Sequence, residues 1–181
     1  MEQIVRDIIN DCLVEKSTNP IEIFTNIARK DYIRIHGPEH HILDGAALLT
    51  AFYNADGSID LKSCLEEIAR RGLQMPGATC GHWGVCGAVS SIGAALSIID
   101  QTGPLSEDDW GRHLLVSSSA LKRLGEIGGP RCCKRDGFIA LEEAIKYINE
   151  NYDVKLEYTP ITCMFSSLNK QCIGIRCPFS K

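Results

Sequence analysis

The chain has 181 residues, 44% of them hydrophobic, which is enough to bury one core without covalent staples, and nine cysteines, an odd number that cannot pair completely within one molecule. A net charge of −4 with acidic and basic residues interspersed gives no footprint for nucleic acid or an anionic membrane. The first residues follow an amphipathic pattern rather than a basic start before an apolar run, and the most apolar stretch, residues 85–99, falls short of the roughly twenty that cross a bilayer.

Such a chain is expected to be soluble and cytoplasmic, in a reducing compartment where cysteines serve as ligands or catalysts more often than as bridges. Residues 2–16 carry Ile4, Val5, Ile8, Ile9, Cys12 and Leu13 at helical spacing, which predicts an amphipathic helix with Cys12 packed as a small hydrophobe. Pro20 opens a second short helix to about residue 29. A third, from Pro38 to about residue 53, is apolar nearly all round and reads as the central helix. The turn Asn54-Ala55-Asp56-Gly57 leads into a helix over residues 59–71, where Cys64 is again a packing residue. From about residue 79 the chain runs into a helix reaching Asp100, with Gly84, Ala88, Ser91 and Ala95 forming a small-residue stripe that admits another backbone closely.

Ser106 and the acids after it start a helix that Gly128-Gly129 stops near residue 127. Pro130 begins a short helical turn, and a last amphipathic helix covers residues 138–151. Residues 154–158 alternate as a strand does, and residues 172–176 are its expected partner. The fold expected over residues 1–181 is therefore a mainly α single domain, a bundle of about seven helices with a small C-terminal β hairpin inside a cysteine-bearing element at about residues 154–181.

Seven cysteines lie outside the regular amphipathic helices, in three places where Gly, Pro or a turn frees the backbone: Cys80 and Cys86, Cys132 and Cys133, and Cys163, Cys172 and Cys177. Loops and helix starts let ligands converge and offer amides that favour thiolates. The chain has no C-x-x-C, the usual announcement of tetrahedral zinc, whereas iron-sulfur clusters take thiolates over more varied spacings. An iron-sulfur cluster, of the 4Fe-4S type, is the favoured cofactor and zinc the alternative. Cys80, Cys86, Cys132, Cys163, Cys172 and Cys177 are the expected metal ligands, with Gly81 offering its amide and Trp83 lining the site.

Neighbouring residues of a helix project about 100° apart, so Cys132 and Cys133 do not both reach one ion with ease; Cys132 is assigned as the ligand and Cys133 as a reactive, catalytic thiol. Arg131, Lys134 and Arg135 flank them, which predicts depressed thiol pKa values. Arg131 and Arg135 are equally suited to an anionic substrate or a cofactor phosphate. His36-Gly37-Pro38-Glu39-His40 has the letters H-x-x-E-H, but Pro38 disfavours helix at Gly37 and breaks the geometry that a zinc protease needs. His36, His40 and His41 are kept as supporting or proton-transfer groups at a helix entrance, and His82, between the first two expected ligands, is a better candidate for lining the site and a catalytic candidate with His40. His113, mid-helix, is a surface or packing residue.

The segments Ile35-His36-Gly37-Pro38-Glu39-His40-His41, Pro76-Gly77-Ala78-Thr79-Cys80-Gly81-His82-Trp83-Gly84-Val85-Cys86-Gly87-Ala88 and Gly128-Gly129-Pro130-Arg131-Cys132-Cys133-Lys134-Arg135 resemble the cysteine-rich domain family DUF5714, found chiefly in methanogens and anaerobic bacteria. The likeness spans the chain from about residue 30 to the C-terminal cysteines. It implies an anaerobic setting. Similar domains occur beside methyltransferase-like or radical-SAM-type domains, which implies a redox or methyltransferase-type partner protein, and it implies no reaction. The function expected is redox or sulfur chemistry on a small substrate or for such a partner. The alternatives are a metal-free thiol-disulfide oxidoreductase using Cys132 and Cys133, and a zinc-stabilised interaction module.

Overall fold

The helical periods of the sequence become eight α-helices among the described residues, 1–180, of a computed structural model. In chain order they are α1 (Glu2–Val14), α2 (Pro20–Ala28), α3 (His40–Asn54), α4 (Leu61–Leu73), α5 (Thr79–His82), α6 (Gly87–Ile99), α7 (Asp108–Ile127) and α8 (Cys133–Asn151). None is long and apolar enough to cross a membrane.

The nearly all-apolar sequence of α3 makes it the axis of the fold. Its residues from His40 to Phe52 are all buried, and it packs against α1, α2, α4, α6 and α8. The expected close approach along α6 is made by α3. The Gly45 amide donates to Ser91 Oγ at 2.9 Å, and a Cβ on Gly45 would sit 2.8 Å from the Ser91 carbonyl oxygen. Ala88, Ser91 and Ala95 are buried in that seam, so the poor helix propensity of the stripe is offset by tight packing. Cys12 is fully buried in the core and Cys64 packs against it, as their spacing predicts.

Several boundaries differ from expectation. Pro38 and Glu39 form a turn before α3, and the buried Glu39 carboxylate accepts from the Arg34 amide, Nε and Nη2. Burial works against that charge, yet the Arg34 partners hold the Glu39 carboxyl below its ordinary range. Ser106 does not cap α7; its hydroxyl accepts from the Gly103 amide and the helix opens at Asp108. The run expected as one helix from about residue 79 is two, because Trp83 to Cys86 separate the single turn of α5 from α6.

The start of α8 is at Cys133, not residue 138. Lys134, Arg135 and Asp136 are buried polar residues with partners, so the helix continues where the apolar pattern does not. Lys134 Nζ donates to the carbonyls of Ala28 and Arg34 at 3.0 and 3.2 Å, closing the C-terminal end of α2, and lies 5.0 Å from the centre of the Phe165 ring.

The expected β hairpin is absent among the described residues. The segment at residues 154–158 has no regular secondary structure, and its backbone groups go elsewhere: the Leu156 amide and carbonyl bond the Asn149 side chain at 2.8 and 3.0 Å, and the Glu157 amide bonds Thr18 O at 3.1 Å. Its intended partner coils into a 3-10 turn at Gly174–Arg176, with Gly174 at φ 56°. Aromatic anchors hold this tail instead. Phe179 packs edge-on to Phe138 of α8 at 5.3 Å, and Phe165 lies 6.4 Å from the same ring.

Candidate metal centre

Four thiols, Cys132, Cys163, Cys172 and Cys177, line one pocket between the start of α8 and the tail. Cys132 immediately precedes α8, and the tail supplies the other three through tight turns. The Phe165 amide lies 3.4 Å from Cys163 Sγ, and the Gly174 amide lies 3.4 Å from Cys172 Sγ. The turn holding Gly174 also brings the Cys177 amide onto Gly174 O at 2.8 Å, while Cys163 is fixed by its amide on Phe179 O at 2.8 Å. Amides aimed at sulfur favour the thiolate that a metal requires. Phe138, Phe165 and Phe179 form part of the pocket's other walls, beside Arg135, Ser166, Asn169 and Ile173.

Asn169 ties the pocket to the helical body. Its Oδ1 accepts from the Gln171 amide at 2.9 Å and faces His36 Nε2 at 3.0 Å, which leaves its Nδ2 to donate to Cys132 Sγ at 3.5 Å. Burial pushes the Cys132 thiol up, opposed by the backbone amides of Arg135 and Lys134. Among the described residues, no three or more His, Cys, Asp and Glu side chains form a group able to hold a metal ion.

Cys80 and Cys86 stand apart from those four. They line an adjoining cleft of about 560 Å³, bounded by α5 and by the ends of α7 and α8, together with Gly81, His82, Arg131 and Asp136. Arg135 belongs to the walls of both cavities. The Cys86 thiol donates to Asp136 Oδ2 at 3.8 Å, and the other Asp136 oxygen accepts from Arg135 Nε at 3.0 Å. Burial, then the neighbouring Asp136 carboxylate, push the Cys86 thiol well up, so it is a protonated thiol in this arrangement.

Cys133 lines neither cavity. It is half-buried, and burial raises its thiol to about 12 despite the Gly37 amide, with Asp44 and Asp136 adding to the rise. The expected depression of both thiols fails for a physical reason: Lys134 turns into the core, and desolvation outweighs the flanking cations. Asp44 is fully buried with no hydrogen-bond partner on either oxygen, and burial lifts its carboxyl well above the ordinary range, opposed by the Lys134 charge.

A model of a family of unknown function, DUF5714, matches residues 8–180. The chain belongs to DUF5714. No curated protein and no solved structure matches it.

The other expected site residues are distributed through this DUF5714 domain as follows. His82 is exposed on the cleft and Gly81 lies beside it, while Trp83 is 67% exposed and outside its walls. His40 is buried, its Nε2 3.1 Å from both Arg34 O and Lys134 Nζ, and burial and the Lys134 charge lower it to about 3. It touches neither cavity. His36 and His40 face Asn169 and Lys134 respectively, so the H-x-x-E-H letters make no shared site. His113 is a packing residue, 2.7 Å from Asp100 Oδ2. Asp136 and Asn169, which the sequence did not single out, hold the site together; the one local clue was Asp136 in the first turn after two cysteines.

Proposed function

We propose that this DUF5714 protein carries an iron-sulfur cluster of the 4Fe-4S type on Cys132, Cys163, Cys172 and Cys177, and serves redox or sulfur chemistry in an anaerobe, on a small substrate or for a partner enzyme. The observation that carries the reading is the gathering of four thiols from two distant segments around one aromatic-walled pocket, with amide donors directed at their sulfurs. Four thiolates complete the usual ligand set of such a cluster, and sulfur-directed hydrogen bonds tune its potential.

Anaerobic purification followed by iron and acid-labile sulfide analysis tests it. About four of each per chain and a brown chromophore are expected. Alanine at Cys132, Cys163, Cys172 or Cys177 should each abolish the full cluster, whereas Cys80→Ala and Cys86→Ala should retain it. Colourless, iron-free protein from strictly anaerobic cells would overturn the assignment.

Zinc is the second reading, and the size of the pocket favours it: the pocket that the four thiols line with Arg135, Asn169 and the phenylalanines is small, about 20 Å³, although its thiols do not stand as a group already able to hold one ion. Four cysteines also make a structural zinc set. Stoichiometric zinc without sulfide would replace the first reading by this one. The metal-free oxidoreductase has less support, because Cys133 reaches neither cavity and its thiol is raised.

A further inference from the structure

We propose that the cleft beside the thiol pocket binds a small organic anion, a carboxylate or phosphate monoester of metabolite size, through Arg131 and Arg135. Its volume of about 560 Å³ falls within the range of small-molecule sites. Arg135 carries the argument. It is only 4% exposed, its Nε donates to Asp136 and its Nη2 to Pro130 O at 3.2 Å, and its Nη1 is buried with no partner. A buried guanidinium nitrogen without an acceptor is costly to a fold and gains by meeting an anionic oxygen.

The charge balance agrees. The single carboxylate on the cleft wall, Asp136, is occupied by Arg135, Cys86 and the Cys132 amide, so the exposed Arg131 is left uncompensated at the lip. There is also room. At Gly81, Gly125 and Gly129 a Cβ would meet nothing within 4 Å, and none of the three has a left-handed φ that would demand glycine. Missing side chains at these positions keep the floor open for a ligand. Cys80, Cys86 and His82 line the rest of the cleft. That the anion would lie next to a redox centre rests on the cluster reading; the anion site itself does not.

The test uses the whole protein, with inorganic phosphate and succinate as probes, neutral succinamide as control, and ionic strength fixed with chloride. Alkylation of Cys80 by iodoacetamide is followed by peptide mass spectrometry, with the half-buried Cys64 of α4, which lines neither cavity, as internal reference, and binding is measured in parallel by calorimetry. The expected result is saturable protection of Cys80 but not Cys64, weakened about tenfold by Arg131→Ala and abolished by Gly125→Leu, which fills the cleft from α7. Protection by phosphate alone identifies a phosphate ester, and by succinate alone a carboxylate. No binding or protection by either anion up to roughly 50 mM, or binding unchanged in Arg131→Ala, would overturn the proposal. Iron, zinc and sulfide are measured on the same samples. Protection in metal-free protein upholds the anion site while refuting the cluster, and a loaded cluster without protection does the reverse.

Discussion

Asn169 presents its Nδ2 to Cys132 Sγ at 3.5 Å, bridging the tail to a cysteine 37 residues earlier in the chain. The Gln171 amide fixes the orientation of the Asn169 side chain, so His36 Nε2 carries the proton that it donates to Oδ1. In Asn169→Asp the shape and the Gln171 and His36 contacts survive, but the sulfur loses a donor and faces a negative charge. On the cluster reading proposed above, metal content should fall while the helical circular dichroism stays, with a stability loss of about 1–3 kcal/mol by urea unfolding.

Cys12 gives the chain an alkaline weakness that does not involve the cysteine pocket. Burial raises its thiol to about 12 from the ordinary 9.0, so the folded state retains a proton that the unfolded state releases. The contribution is fully present below pH 9 and is lost between pH 9 and 12, at about 1.4 kcal/mol per pH unit. Cys12→Ala should lower stability at pH 7 by about 1–2 kcal/mol yet show a flatter decline above pH 9. Urea unfolding across pH 7 to 10.5 compares the two slopes.

Two glycine-to-alanine changes should have opposite effects. At Gly45 the new methyl meets the Ser91 carbonyl oxygen at 2.8 Å, backbone that cannot move aside, and about 1–3 kcal/mol of stability should be lost. At Gly125, on α7 with open space beside it, alanine should add about 0.5–1 kcal/mol through helix propensity. Thermal melts of the two variants measure the contrast.

Phe179→Ala should free the tail. Phe179 is 6% exposed and its ring holds the segment against Phe138, so truncation should cost about 3 kcal/mol or more. Limited proteolysis should then cut near residues 158–175 and leave the helical body intact. Cys163, Cys172 and Cys177 should alkylate faster than in the parent protein.

The helices were legible because their apolar residues recur with the helical period, and α3 stood out because it has almost no polar face. The first turn of α8 was not, because Lys134, Arg135 and Asp136 look like surface residues until the carbonyls of Ala28, Arg34 and Pro130 come within reach. The alternation at residues 154–158 was real, but local pattern carries no information on whether a partner strand arrives or Asn149 takes its place. Cysteine placement separated Cys12 and Cys64 from the other seven. The division of those seven into a four-thiol pocket, a two-thiol cleft and the inward Cys133 depends on tail packing through Phe165 and Phe179, which spacing does not encode.

Arg135 forms part of the wall of both cavities. One guanidinium cannot neutralise a charge on one side without altering its field on the other, so the proposed cluster and the proposed anion, one in each chamber, would be thermodynamically linked. On those two proposals, an anion that binds the cleft ten times more tightly when the cluster is oxidised lowers the cluster's one-electron potential by about 59 mV. The same factor, by reciprocity, sets how strongly reduction expels the anion. A single buried side chain would then make electron transfer and ligand release two readings of one equilibrium.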